Sequence, residues 1–285
     1  MIIDSHCHAW THWPYQPPVP DAESRPRIEQ LLNEMDLHGV DQAAIVCAQI
    51  DHNPANNAYI AEQVARFPNR LHQIADVDSS WSTTYHQPGA AERLRQTAER
   101  WLIKGFTHYL KHDDDGAWLY SAEGLAFFQV AQEKKLIASI ACAPHHQPAI
   151  RKAAAQFPSV PFLIHHLGGV KVDEAAPRVG LQQVLESARV ENIYIKLSGF
   201  AYATAGPKWD FPYSDTHELI RAQYEHYGPR RMCWGSDYPV VRFYMTYRQA
   251  LEAFRAHCDF IPATEHAWIL GNTLQQLLAV AGSEV

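Results

Sequence analysis

The chain has 285 residues, 47% of them hydrophobic, and a formal net charge of −7. That length supports one large core and a single domain over residues 1–285, while the acidic balance without a basic stripe argues against a nucleic-acid partner. No run reaches the roughly 18 uninterrupted apolar residues of a membrane span, and the first residues lack the basic-then-apolar pattern of a signal peptide, so the expected partner is a small molecule, with homo-oligomerisation left open.

The first apolar run, residues 2–6, leads directly into His6-Cys7-His8. Side chains alternate faces along a strand, so His6 and His8 share one face and Cys7 takes the other. Residues Trp10–Pro26, with prolines at 14, 17, 18, 20 and 26, read as a long ordered loop. Further short apolar or β-rich runs follow at 43–48, 71–77, 103–110, 136–143, 161–166, 192–197 and 231–236, which makes eight strands. Helical stretches are expected at 55–67, 88–101, 122–135, 146–157, 177–190, 215–228 and 246–258, with a last one near 263–281. Ser121 and Asp215 stand where helix-starting caps belong. The five cysteines, Cys7, Cys47, Cys142, Cys233 and Cys258, are scattered, mostly inside predicted strands, and form no C-x-x-C pair. Reduced thiols in a cytoplasmic protein fit that pattern better than a disulfide framework.

Strands alternating with helices over this length call for a (β/α)8 TIM barrel. The competing doubly wound sheet would want a glycine-rich phosphate loop after its first strand, and there is none. In a barrel, chemistry collects at the C-terminal ends of the strands. Those ends carry His6 and His8, then Tyr109 and Lys111, His145, His165-His166, Lys196 and Ser198, and finally Asp237 in Gly235-Ser236-Asp237-Tyr238-Pro239. Imidazole and carboxylate donors make His6, His8, His166 and Asp237 a mononuclear metal set, zinc by ligand type. Asp237 is equally suited to take a proton from water as general base. Trp10, Trp13, Tyr15, Trp81, Trp118, Tyr202 and Trp209 fall in segments on the same side, where aromatic faces suit a polyhydroxylated ring.

Taken together, Asp4-Ser5-His6-Cys7-His8, Gly105-Phe106-Thr107-His108-Tyr109, His166-Leu167-Gly168-Gly169, Lys196-Leu197-Ser198-Gly199 and Trp234-Gly235-Ser236-Asp237-Tyr238-Pro239-Val240 resemble the amidohydrolase superfamily. Within it the chain is similar to the amidohydrolase-2 branch of sugar-acid lactonases and 2-pyrone-4,6-dicarboxylate lactonase. The resemblance spans nearly the whole length and implies a barrel of the metal-dependent-hydrolase type. It implies His6, His8 and His166 as ligand or substrate-orienting residues, and Asp237 as base for a hydrolytic water. Members with and without a bound metal exist, so the expected cofactor is one divalent metal, zinc, or none. Strand seven ends in Lys196-Leu197-Ser198 without a histidine, which counts against two metals. Thr107 stands where many relatives carry an arginine, which leans away from a dicarboxylate substrate.

The expected activity is therefore hydrolysis of a small lactone. Asp237, His166 and Lys196 are the catalytic candidates, with Lys196 stabilising the developing oxyanion; Tyr109, Lys111, His145, Ser198 and Trp10 are the substrate-binding ones. The alternatives are a zinc-dependent decarboxylase or hydratase on the same fold, or a ligand-binding barrel without catalysis.

Overall fold

A computed structural model describes residues 1–282. Eight strands, β1 (Ile3–Cys7), β2 (Gln42–Val46), β3 (Leu71–Asp76), β4 (Gly105–Tyr109), β5 (Ile137–Ala141), β6 (Phe162–Ile164), β7 (Ile193–Leu197) and β8 (Met232–Trp234), pair in parallel in that order. The helices are α1 (Ile28–His38), α2 (Asn56–Arg66), α3 (Ala90–Arg100), α4 (Ala122–Glu133), α5 (Gln147–Gln156), α6 (Val179–Ser187), α7 (Phe200–Ala203), α8 (His217–Tyr227), α9 (Tyr247–Arg255) and α10 (Thr273–Val280). This is the (β/α)8 barrel expected from the sequence. Among the described residues no helix is long and apolar enough to cross a membrane.

Helix α1 adds to the segments singled out above. Its buried Ile28, Leu31, Leu32 and Met35 recur at helical spacing, and Gly39, at φ 69°, ends it by donating its N–H to the Met35 carbonyl. Ser121 caps α4 as expected, its hydroxyl accepting from the Gly124 amide at 3.2 Å. Asp215 does not cap a helix. Its carboxylate instead accepts from Thr204 Oγ1 and the Ala205 amide, tying the loop after β7 to the start of α8.

Polarity is layered along the barrel. Ile3, Ala44, Ile74, Ile137, Leu163 and Cys233 form an apolar plug with Leu274 and Leu278 of α10. Beyond it, inward-facing Ser139 and Lys196 begin a polar layer that is fully buried or nearly so. The ring closes between β8 and β1 through a seam rather than a regular ladder. The Asp237 amide donates to the His6 carbonyl at 2.7 Å, and the His8 amide to the Tyr238 carbonyl at 2.6 Å.

Candidate active site

A bulge in β1 aims the first two functional groups. Asp4 pairs with Ala43 and Cys7 with Ile45, so three steps in β1 match two in β2. Asp4 consequently turns toward α9, where it accepts from the Tyr247 hydroxyl at 3.0 Å. His6 and His8 turn together toward the interior, their rings 4.9 Å apart. β8 passes so close that a Cβ at Gly235 would lie 2.7 Å from His6 Cβ, a spacing only glycine permits.

Each imidazole is held by its Nδ1. His8 Nδ1 lies 2.7 Å from the Val46 carbonyl, which fixes the hydrogen on that nitrogen. Trp10 covers the same ring, stacked at 5.0 Å, and anchors itself by donating from Nε1 to the Ala48 carbonyl at 2.9 Å. His166 Nδ1 meets Ser198 Oγ at 3.0 Å, and His6 Nδ1 meets Lys196 Nζ at 3.0 Å. Two of the groups stand on left-handed backbone, His166 at φ 43° and Asp237 at φ 61°. Strain of this kind collects where geometry is dictated by function. Asp237 is held in turn by the Tyr202 hydroxyl, which donates to Oδ2 at 2.5 Å.

The outcome is convergence on a single oxygen. Asp237 Oδ1 lies 3.5 Å from His6 Nε2, 3.5 Å from His8 Nε2 and 3.9 Å from His166 Nε2. Ligands around a tetrahedral zinc with bonds of about 2.0–2.1 Å sit roughly 3.4 Å from one another, so these separations fit a metal-sized centre. His6 Nε2 is also buried and has no hydrogen-bond partner among the described residues. Ligand atoms of His6, His8 and Asp237 all lie within 4.8 Å of one another, as do those of His6, His165 and His166.

Electrostatics favour that chemistry. Burial pushes the Asp237 carboxyl up, but His166, His8 and the Tyr202 hydroxyl outweigh it and hold the group below the usual carboxylate range. Burial takes His166 down to about 4, and burial with the nearby Lys196 takes His6 well below the ordinary histidine value. At neutral pH His6 and His166 are therefore neutral beside an ionised carboxylate.

Lys196 lies beneath His6, fully buried, with its amine also donating to Ser139 Oγ at 2.8 Å. Desolvation lowers it to about 7. As a neutral amine it accepts from His6 Nδ1–H and frees His6 Nε2 to ligate. As an ammonium it donates to Nδ1, and Nε2 then carries a hydrogen aimed at Asp237. Its contacts are with His6 and Ser139, so Lys196 works on its neighbours.

The structure thus gathers His6, His8, His166 and Asp237, and it places Ser198 and Trp10 as the supports of two of those rings. Tyr109 is half-buried beside His165 and Trp81, with ring centroids 5.2 and 4.6 Å away. Lys111 and His145 are exposed: Lys111 Nζ lies 4.8 Å over the Tyr85 ring and His145 Nε2 sits 3.2 Å from the Asp114 carbonyl. Sequence reasoning missed Ser139, whose only signal was a hydroxyl at an inward position of an otherwise apolar strand. It also took Tyr202 for an aromatic wall rather than the partner of Asp237.

Imidazoles and a carboxylate thus meet where the first, sixth and last strands of a parallel barrel end, the place where chemistry collects in a TIM barrel. The chain belongs to the amidohydrolase family, whose profile matches residues 3–277. A Burkholderia multivorans amidohydrolase with bound zinc shares the fold, with a TM-score of 0.79 at 18% identity over 98% of this chain and 99% of that one. A probable 2-pyrone-4,6-dicarboxylic acid hydrolase from Acinetobacter baumannii, with citric acid bound, superposes with a TM-score of 0.76 at 19% identity over 98% and 99%. An L-fucono-1,5-lactonase from Burkholderia ambifaria is 30% identical over 99 residues, which is 35% of this chain and 33% of that one. The chain therefore matches about a third of that lactonase's length.

Proposed function

We propose that this protein hydrolyses a small lactone, a sugar-acid lactone first among them, to the corresponding hydroxy acid. The observation that carries the reading is the ionised, buried Asp237 whose Oδ1 is the shared focus of three imidazole nitrogens. His6, His8, His166 and Asp237 would hold one divalent metal, zinc by their nitrogen and oxygen donors. Such an ion, when bound, polarises a coordinated oxygen.

Asp237 takes a proton from the attacking water as the water oxygen bonds to the lactone carbonyl carbon. When the ring C–O bond breaks, the same carboxyl returns that proton to the leaving alkoxide. Tyr202 occupies Oδ2 throughout, so Oδ1 both receives and delivers the proton. His8 and His166 cannot swing away, because Val46 and Ser198 hold their far nitrogens. Thr107, buried in β4, and the Trp10, Tyr15 and Trp13 cluster support a neutral ring over a dicarboxylate. Cysteines that are all free suit a cytoplasmic setting.

A pH-indicator screen of sugar and pyrone lactones, L-fucono-1,5-lactone included, tests the reading, since ring opening releases one titratable proton. Release of CO2 from an aromatic acid, without acidification by any lactone, would replace it with decarboxylation.

A further inference from the structure

Beside His6 lies His165, 2% exposed, its ring 4.5 Å from that of His6 and a ligand atom within 4.8 Å of those of His6 and His166. His165 Nε2 is 2.7 Å from Ser139 Oγ, the oxygen that already accepts from Lys196 Nζ at 2.8 Å. Charged or neutral, the lysine has an N–H to give. Serine has a single proton, and with its oxygen engaged by Lys196 the remaining partner for that proton is His165 Nε2. Nε2 is then an acceptor, so the ring carries a hydrogen on Nδ1.

That Nδ1 is buried and has no hydrogen-bond partner among the described residues. A buried donor left without an acceptor costs about 1–3 kcal/mol. Such groups are rare in folded proteins and call for a specific explanation. The hydrogen on Nδ1, together with the Ser139 contact at Nε2, also removes His165 from the metal set and leaves that role to His6, His8, His166 and Asp237.

We propose that His165 is a further catalytic residue, whose Nδ1–H donates to the substrate carbonyl oxygen and stabilises the oxyanion. This rests on the hydrolytic reading of the site. As the water oxygen bonds to carbon, the carbonyl π pair moves onto oxygen, and it returns when the ring C–O bond breaks. The imidazole keeps its hydrogen in both steps. Lys196 and Ser139 are positioning residues that set the tautomer, so Lys196 serves the oxyanion through two intermediaries.

Two measurements decide the matter. Long-range ¹H–¹⁵N correlation spectra of the histidine-labelled protein should show His165 with its hydrogen on Nδ1; a hydrogen on Nε2 overturns the proposal whatever the substrate is. On the lactone that the wild type opens fastest, His165→Leu should lose about 10²–10³-fold in kcat, the usual loss for one oxyanion donor, with KM little changed. His165→Asn, which keeps a short-armed N–H, should recover much of that loss, and Ser139→Ala should lower kcat without raising KM. A folded His165→Leu enzyme with wild-type kcat also overturns the proposal. If the wild type opens no lactone, the functional reading fails, and the spectra still decide whether His165 offers a donor.

Discussion

Ser236 fastens the last strand to the first through Asp4, its amide donating to Oδ1 at 2.9 Å and its hydroxyl to Oδ2 at 2.5 Å. The same carboxylate accepts from the His6 amide and the Tyr247 hydroxyl, each at 3.0 Å. Asp4→Ala would leave four donors unpaired in a dry seam. We expect a loss of about 3 kcal/mol or more, given roughly 1–3 kcal/mol for each unsatisfied buried group and partial relaxation. Urea unfolding measures it, and a loss below about 1 kcal/mol would mean that the seam is held by other contacts.

Asp237→Asn preserves shape and removes the proton acceptor. Turnover should fall by at least about 10²–10⁴-fold, the range for a lost general base. Circular dichroism and the thermal midpoint should stay near wild type. A variant retaining near wild-type kcat on the true substrate would refute the mechanism while leaving the barrel untouched.

Metal content should not exceed one equivalent per chain. Of the two clusters of candidate ligands, both draw on His6 and one alone includes a carboxylate, Asp237, which is where we expect the ion. Elemental analysis of the purified protein, repeated on His6→Ala, reads this directly. Two tightly held equivalents, both needed for activity, would be the contrary result.

Gly235→Ala should impair catalysis without touching any reacting atom. The added methyl group meets His6 Cβ at 2.7 Å and His6 N at 2.9 Å, so the strand carrying His6 must shift. Overpacking of this kind costs typically about 1–3 kcal/mol, and kcat should fall along with stability. Unchanged kcat would show that His6 tolerates displacement.

Stability should decline on mild acidification, in part through His72. Burial, with a contribution from Lys104, lowers this residue to about 4, and its Nε2 meets Gln42 Oε1 at 3.0 Å. Between the unfolded value of about 6.5 and the folded one, the unfolded chain binds a proton that the native state refuses. The native state thus loses ground as pH falls through that window. Urea midpoints at pH 7 and pH 5 should differ more for wild type than for His72→Gln; equal differences would remove His72 from the account.

The barrel was legible because β-rich runs and amphipathic stretches alternate, and because parallel strands buried on both faces read as short apolar segments. His6, His8, His166 and Asp237 were legible for the same reason, since each follows an apolar run. The supports were not. Tyr202 reaches Asp237 only because the chain turns sharply at Gly199, φ 72°, where a Cβ would lie 2.8 Å from His166 Cβ and 2.8 Å from the Tyr202 ring. No periodicity announces such a turn. Lys196 looked like a cation for the substrate because its position along β7 was readable and its depth was not. Asp215 carried a capping signal, and Thr204, brought near only by folding, competes for its carboxylate.

The seam also sets when this protein becomes an enzyme. Asp4 and Ser236 are 232 positions apart in the chain, and the groups on either side of them, His6 and Asp237, meet nowhere else. Contacts of such long sequence separation are slow to form, because loop closure must precede any reward from the contact. A nascent chain or a trapped intermediate with seven strands in place would possess most of the core and none of the chemistry. Activity therefore reports ring closure, and it distinguishes a closed barrel from a compact one whose last strand has not met its first.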